Sequence, residues 1–315
     1  MAETAPPAVS TRGHSRASRE YMRRHARGAM LGLALGDALG ATVEFMTPRE
    51  IQAQFGCHRT IRGGGWLRLP VGQVTDDTTM AFSLADAWLA GTTPPLAEDC
   101  ARAFDAWMRA KPVDIGHTVR RGIARFRRTG EAHIPPSEDA GNGATMRCTP
   151  AALTTLGAPL PVIEQAVLTQ AHVTHNNPLT DSATLTVIRM IQAGMDGSGI
   201  RSIMALAHEL VRSQPQFHFR GRRMENPSGY IIETIRAVFQ GLDVNDSFES
   251  VLVDIVNRGG DADTTGAIAG TIMGALVGED GLPQPWLKAL NPTVFKRCED
   301  YADVLIQRSP AWLAA

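Results

Sequence analysis

Two segments near opposite ends of the chain carry a glycine at every fourth position. The glycines are Gly28, Gly32, Gly36 and Gly40 in RGAMLGLALGDALG, and Gly266, Gly270, Gly274 and Gly278 in GAIAGTIMGALVG. Four steps of about 100° return a residue to almost the same helix face, so each segment predicts a glycine-striped helix. Each glycine costs up to about 1 kcal/mol relative to alanine in a helix. Close approach of another backbone would explain that cost, and we predict that the two helices pack against each other.

The rest of the chain also has helical periodicity, and no segment shows a convincing strand-like alternation of apolar and polar residues. The predicted helices span residues 19–40, 79–90, 97–111, 117–129, 179–194, 199–213, 228–241, 246–257, 265–278 and 292–307. Residues 1–18, which are rich in Pro, Ala, Ser and Arg, predict a disordered tail rather than a signal peptide. We therefore expect an all-α protein with a single domain over residues 19–310.

Composition excludes several functional classes. The 315 residues are 43% hydrophobic and 20% charged, and the net charge of −1 gives no electrostatic reason to expect nucleic-acid binding. Neither glycine-striped helix offers the roughly 18 uninterrupted apolar residues of a membrane span, and Asp37 interrupts the first. The four cysteines lie far apart without a CxxC pair, which argues against a zinc ribbon and favours a reducing, cytoplasmic location.

Two short acidic segments at the starts of predicted helices have the composition of a metal site. They contain Thr75, Asp76 and Asp77 in the first segment, and Asp261, Asp263 and Thr264 in the second. Carboxylate and hydroxyl oxygens suit Mg²⁺ or Mn²⁺ better than zinc. Either segment alone could be an ordinary N-cap. Because two such segments occur, a shared metal site is plausible.

Two features lie between the first helix and the first acidic segment. Glu44 follows the helix in an apolar setting, between Val43 and Phe45. Residues 57–76 show no regular periodicity and include the glycines at positions 63–65 followed by Trp66, a turn that demands free backbone torsions. We predict that this loop wraps around another part of the molecule or a ligand.

Other polar residues allow two interpretations each. Asp114 either caps the helix 117–129 or acts in a site, and the Gly-Asn-Gly turn at 141–143 is either an ordinary turn or a backbone anion site. His172 and His175 could be metal ligands, although their spacing is more typical of hydrogen-bonded side chains at a helix junction. Tyr230 is either a core tyrosine or a stacking platform.

Taken together, seven motifs resemble those of the ADP-ribosylglycohydrolase family. They are GDALGATVEF, GGGWLRL, GQVTDDT, PVDIGHT, GNGATMRC, THNNPLTD and NRGGDADTTGA, and the resemblance covers nearly the whole chain, from about residue 26 to 290. The resemblance implies an orthogonal all-α helix bundle with a binuclear metal cleft. It also implies removal of ADP-ribose from a modified side chain of a protein.

The resemblance assigns roles to individual residues. Two Mg²⁺ or Mn²⁺ ions would be held by Glu44, Thr75, Asp76, Asp77, Asp261, Asp263 and Thr264. The catalytic residues would be Asp114, which would face the scissile bond, together with Glu44 and Asp77. Substrate would contact Gly64, Gly65, Gly141, Asn142, Gly143, Ala144, Thr145, His175 and Tyr230, with the diphosphate at 141–145 and adenine on Tyr230. The sequence departs from the expected pattern at His117, where we expected Asn.

The implied activity is metal-dependent hydrolysis of ADP-ribosylated arginine on a target protein. Dinitrogenase reductase is the expected target, and a PII-type signalling protein is a further candidate partner. One alternative is an ADP-ribosylarginine hydrolase that gives immunity to an ADP-ribosylating toxin. A di-metal phosphoester hydrolase and an ADP-ribose-binding module without turnover are the others.

Overall fold

The computed structural model describes residues 18–91 and 94–315, and this part of the chain is helical without any strand. Its α-helices are α1 (Arg19–Gly40), α2 (Pro48–Phe55), α3 (Asp76–Ala90), α4 (Ala97–Arg109), α5 (His117–Thr129), α6 (Gly143–Met146), α7 (Thr149–Thr154), α8 (Leu160–Ala171), α9 (Pro178–Met195), α10 (Gly199–Ser213), α11 (Ile231–Val244), α12 (Phe248–Val256), α13 (Ala262–Val277), α14 (Gln284–Ala289), α15 (Pro292–Ile306) and α16 (Pro310–Leu313). The all-α prediction is confirmed. The predicted tail lies outside the described residues as far as residue 17, and the hydroxyl of Ser18 caps α1 by accepting from the Tyr21 N–H.

The two glycine-striped helices, α1 and α13, pack against each other in the core as predicted. They run antiparallel, since Gly32 lies opposite Gly270 and Gly36 lies opposite Gly266. A Cβ atom on Gly32 would lie 2.1 Å from the carbonyl oxygen of Gly270, so the contact leaves no room for a side chain. The pairing also places the end of α1 beside the start of α13, where Gly40 meets Ala262.

Several helix boundaries differ from the sequence-based ones, and two of the differences concern the acidic segments. The structure begins α3 at Asp76 and α13 at Ala262, three residues earlier than predicted, so most of the acidic side chains lie in first helical turns. It begins α11 at Ile231, three residues later than predicted. The sequence pattern missed α2, α7, α14 and α16 because helices of four to eight residues show few repeats of their period. It also missed α8, in which polar Thr169 and Gln170 interrupt the buried face.

No helix within residues 18–91 and 94–315 combines the length and apolar character that a membrane span requires. The four cysteines are unpaired, and Cys57 alone among them is exposed. Most apolar side chains of the helices belong to one continuous buried cluster. This agrees with the prediction of a single core.

Candidate metal and ligand site

A cavity of about 390 Å³ opens where the end of α1 meets the starts of α3 and α13. Its acidic lining residues are Glu44, Asp76, Asp114, Asp261 and Asp263. Opposite ends of the sequence therefore contribute to one site, because the glycine-striped helices are antiparallel. The turn at 141–143, the start of α5 and His175 complete the wall.

The acidic residues fit a divalent cation. Carboxylate oxygens of Glu44, Asp261 and Asp263 lie within 4.8 Å of one another. Asp77 is fully buried, and its Oδ1 has no hydrogen-bond partner in the described protein. The Thr264 hydroxyl donates to Asp77 Oδ2 at 3.3 Å. An orphaned buried carboxylate oxygen next to other carboxylates is an arrangement that fits a hard cation, which prefers oxygen ligands.

Burial and mutual repulsion disfavour ionisation of these carboxyl groups when no cation is bound. Burial, with a contribution from the charge of Asp261, raises the pKa of Glu44 to about 8. Burial and the neighbouring Asp114 raise the pKa of Asp76 to about 7. The pKa values of Asp77 and Asp263 are raised well above the ordinary range, chiefly by burial. A bound cation would favour the charged forms and offset this cost.

Asp37 is a buried carboxylate of the site that sequence reasoning overlooked. Its two oxygens accept from the N–H and hydroxyl of Thr75 and from the N–H and hydroxyl of Thr78 at 2.5 to 3.1 Å. These bonds hold the first turn of α3, which carries Asp76 and Asp77. The detectable signal was a charged residue inside the glycine-striped apolar helix, where a buried carboxylate requires partners.

Gly64 and Gly65 do not line the acidic cavity, but the loop that contains them positions Glu44 through Trp66. Gly65 lies against α1's end, because a Cβ there would be 2.3 Å from the Ala41 carbonyl oxygen. The loop thereby brings Trp66 Nε1 to 2.6 Å from Glu44 Oε2, to which it donates. Gly64 and Gly65 line an adjoining groove of about 680 Å³, which meets the acidic cavity at Glu44, Phe45 and Trp66. The two predicted substrate-binding glycines thus lie beside the cavity.

The turn at 141–143 forms the wall next to the acidic cluster. The Asn142 side chain donates to Asp261 Oδ2 at 2.7 Å and to Thr234 Oγ1 at 3.0 Å, which ties the turn to α13 and α11. Ala144 and Thr145 are buried behind the turn, and the Thr145 hydroxyl bonds that of Thr184. Their side chains therefore do not face the cavity.

The structure shows the placement of three polar residues for which the sequence allowed two interpretations. Gly116, not Asp114, is the N-cap of α5, and Asp114 lines the cavity instead. Tyr230 is 43% exposed and precedes α11 beside the cavity, so it is not a core tyrosine. His172 bonds Asp181 through Nε2 at 2.9 Å, as expected for a hydrogen-bonded polar side chain. His117, the departure from the expected pattern, lines the cavity at the start of α5.

Comparisons with known proteins agree with this architecture. The chain is 48% identical over 282 residues to the ADP-ribosyl-[dinitrogen reductase] glycohydrolase of Rhodospirillum rubrum, covering 89% of this chain and 95% of that protein. It is 29% identical over 301 residues to an ADP-ribosylarginine hydrolase of Pseudomonas putida, covering 90% and 78% respectively. A solved structure described as an ADP-ribosylglycohydrolase-related protein complex superimposes with a TM-score of 0.81 at 30% identity, covering 92% of this chain and 99% of that one.

The family profile described as ADP-ribosylglycohydrolase matches residues 18–314, nearly the whole described chain. The match includes the glycine-striped helices, both acidic segments and the turn at 141–143. The resemblance inferred from the seven motifs is confirmed, and the protein belongs to the ADP-ribosylglycohydrolase family.

Proposed function

We propose that this protein hydrolyses the bond between ADP-ribose and an arginine side chain of a target protein, and that dinitrogenase reductase is the first target to test. The observation that carries the proposal is one cavity in which Asp114 stands apart from the metal-binding segments but faces the same space. The Rhodospirillum rubrum relative, named for dinitrogen reductase, supports the target. The Pseudomonas putida relative, named for arginine, supports the linkage. The four unpaired cysteines support a reducing, cytoplasmic location.

The metal ligands we propose are the seven predicted from sequence. They are Glu44, Thr75, Asp76, Asp77, Asp261, Asp263 and Thr264, which meet at the starts of α3 and α13. Two Mg²⁺ or Mn²⁺ ions bound there would supply Lewis-acid stabilisation and orient a water molecule toward C1 of the ribose. The chain itself places the ligands, through Asp37 behind α3 and through Trp66 on Glu44.

The substrate contacts we propose place the ADP-ribose across the cavity. The turn at 141–143, together with the backbone of Ala144 and Thr145, would receive the diphosphate. Tyr230 would stack on adenine, since it is half-exposed and its backbone pairs with Gly141 in an isolated bridge. Gly64 and Gly65 would shape the approach from the adjoining groove.

Asp114 is the residue we propose to select arginine. A glycosylated guanidinium is a cation that can depart as neutral guanidine, so the site needs a fixed anion to hold it more than an acid to protonate it. A carboxylate provides paired, charge-assisted hydrogen bonds to such a group. A serine-linked ADP-ribose offers no cation to Asp114. Loss of a hydrogen bond to a charged group costs about 1.5–3 kcal/mol, which corresponds to roughly a tenfold to hundredfold change in rate.

The test is hydrolysis of matched arginine- and serine-ADP-ribosylated peptides by wild type and Asp114→Asn. We expect wild type to prefer the arginine linkage by at least tenfold and Asp114→Asn to lose that preference. Asp246→Asn, the same chemical change at an exposed loop residue, is the control and should behave as wild type. The products should be free ADP-ribose and unmodified arginine, with no inorganic phosphate. Equal wild-type rates on both linkages would refute the arginine assignment.

A further inference from the structure

Behind the turn at 141–143 lies a buried cation without a carboxylate partner. Arg147 is fully buried, and no carboxylate of residues 18–91 and 94–315 accepts a hydrogen bond from its guanidinium, which donates only to neutral atoms of Met80, Gln170 and Thr174. Its Nε donates to Gln170 Oε1 at 2.8 Å, and its Nη2 donates to the carbonyl of Gln170 and to Thr174 Oγ1, each at 2.8 Å. The guanidinium also lies 4.3 Å from the ring centroid of Phe104. Neutral acceptors alone therefore hold this charge.

The hydrogen bonds of Arg147 determine where the neighbouring protons lie. A guanidinium can only donate, so Thr174 Oγ1 accepts from Arg147. The same Oγ1 lies 2.8 Å from His175 Nδ1, and within the described chain its hydroxyl hydrogen has no other acceptor. If Nδ1 carried the proton, the buried hydroxyl hydrogen of Thr174 would be left unsatisfied, which is costly. The hydroxyl therefore donates to Nδ1, and the neutral ring carries its proton on Nε2.

The Nε2 edge of His175 faces the turn at 141–143. A Cβ on Gly141 would lie 2.9 Å from Nε2, and one on Gly143 would lie 2.8 Å from Cε1, so only glycines admit the ring at this distance. All three residues line the acidic cavity. Nε2 has no hydrogen-bond acceptor among the residues that the structure describes. The ring thus has one occupied nitrogen and one that is free for a ligand.

Burial keeps this imidazole neutral. It lowers the pKa of His175 to about 3, and the charges of Arg147 and Arg121 act in the same direction. His175 therefore has little capacity to act as a general acid or base near neutral pH, in contrast to most histidines in active sites. A neutral N–H donor remains as its chemical role.

We propose that Arg147, through Thr174, fixes His175 as an Nε2–H donor to an anionic oxygen of the substrate diphosphate. This inference rests on the proposed function, because it places the diphosphate at the turn at 141–143. Arg147 and Thr174 are positioning residues, and His175 makes the contact. Gln170 belongs to the same arrangement, since its Nε2 donates to the carbonyl of Ala144 at 3.0 Å and so holds the segment that follows the turn.

The test reads the tautomer directly, by long-range ¹H–¹⁵N correlation spectra of ¹⁵N-histidine-labelled protein with Mg²⁺. A His175→Gln variant assigns the resonances of the ring. We expect wild-type His175 to be protonated at Nε2 and to keep that state between pH 6 and pH 8. Added ADP-ribose should shift the Nε2 resonance and its proton. An Nδ1-protonated or doubly protonated ring in wild type would overturn the inference, whatever the affinity for ADP-ribose.

Variants at Thr174 separate positioning from packing. Thr174→Val keeps the shape but removes the hydroxyl, so we expect a mixed tautomer and at least tenfold weaker binding of ADP-ribose by calorimetry. Thr174→Ser should restore both the Nε2–H tautomer and the affinity. Thr154→Val makes the same change at a buried threonine whose hydroxyl bonds its own helix, and it should leave both readouts unchanged. Unaltered affinity in Thr174→Val despite an altered tautomer would overturn the proposed contact.

The experiment distinguishes this inference from the proposed function. If wild type shows the Nε2–H tautomer but neither ADP-ribose nor inorganic pyrophosphate perturbs it, the diphosphate contact is wrong. If ADP-ribose perturbs Nε2 while arginine-linked peptides are not hydrolysed, the proposed activity is wrong and the role of His175 stands.

Discussion

Removal of divalent cations should lower the free energy of unfolding of this protein, because the carboxylates of the acidic cluster repel one another. Carboxylate oxygens of Glu44, Asp261 and Asp263 lie within 4.8 Å of one another. Two unit charges at about that separation repel by roughly 3.5 kcal/mol at an effective dielectric constant near 20. Without a cation the folded protein must therefore keep some of these groups protonated, in agreement with the raised pKa of Glu44, about 8.

A cation at about 100 times its dissociation constant adds about 2.7 kcal/mol to the free energy of unfolding. For a domain of this size, that corresponds to a change in melting temperature on the order of 5 °C. We expect EDTA followed by dialysis to lower the melting temperature by this amount, and Mn²⁺ or Mg²⁺ to restore it.

The assay is differential scanning fluorimetry with elemental analysis of the same samples. Asp261→Asn should lose most of the cation-dependent increase. Without cation it should melt at or above the temperature of metal-free wild type, because one repelling charge is gone. Asp246→Asn, at an exposed loop position, should retain the full increase. If neither chelation nor added cation changes the melt, and no metal is detected before or after chelation, the metal site is refuted.

Three further predictions follow from individual contacts. The pKa of Glu44 is raised to about 8 in the folded protein, so between the ordinary glutamate pKa and about pH 8 the metal-free folded protein binds more protons than the unfolded chain. The melting temperature in EDTA should therefore fall as pH rises from 5 to 8. A rise over that interval would contradict the reasoning. Stacking of a base on an aromatic ring contributes about 1–3 kcal/mol, so Tyr230→Ala should weaken ADP-ribose binding about tenfold in calorimetry, and Tyr230→Phe should not. Gly32→Ala would place Cβ 2.1 Å from the Gly270 oxygen. Overpacking should lower the free energy of unfolding by about 1–3 kcal/mol or more, which exceeds the gain of about 1 kcal/mol from the higher helix propensity of alanine. Urea denaturation would measure the change, and a Gly32→Ala variant as stable as wild type would show that the helices do not require this approach.

The parts of the site that sequence reasoning missed are those that act through other side chains. In the sequence, Asp37 was visible as an interruption of an apolar helix and as a member of the motif GDALGATVEF. Its four hydrogen-bond donors come from Thr75 and Thr78, at the start of another helix. Arg147 stood in a recognised motif, but its effect on His175 depends on Thr174 lying between them. Such relations have no fixed spacing along the chain, so periodicity and local motifs do not encode them.

The sequence-based predictions that succeeded rest on short-range physics. A glycine at every fourth position indicates a close helix contact, because helix geometry and glycine's cost both act locally. Asp and Thr residues close together at a helix start indicate an oxygen-rich site, because helix geometry acts locally there as well. The seven motifs indicated the family for a different reason, namely that they occur together in one chain.

The remaining questions required the folded chain. Whether Asp114 capped a helix, whether Tyr230 was buried and whether Ala144 and Thr145 faced the cavity depended on the path of the backbone and on neighbours distant in sequence. The meeting of Glu44 with Asp261 and Asp263 likewise depends on antiparallel packing of α1 and α13, which the glycine stripes permit but do not orient. Burial and hydrogen-bond partners set the protonation of these groups, and both are properties of the packed structure rather than of residue type.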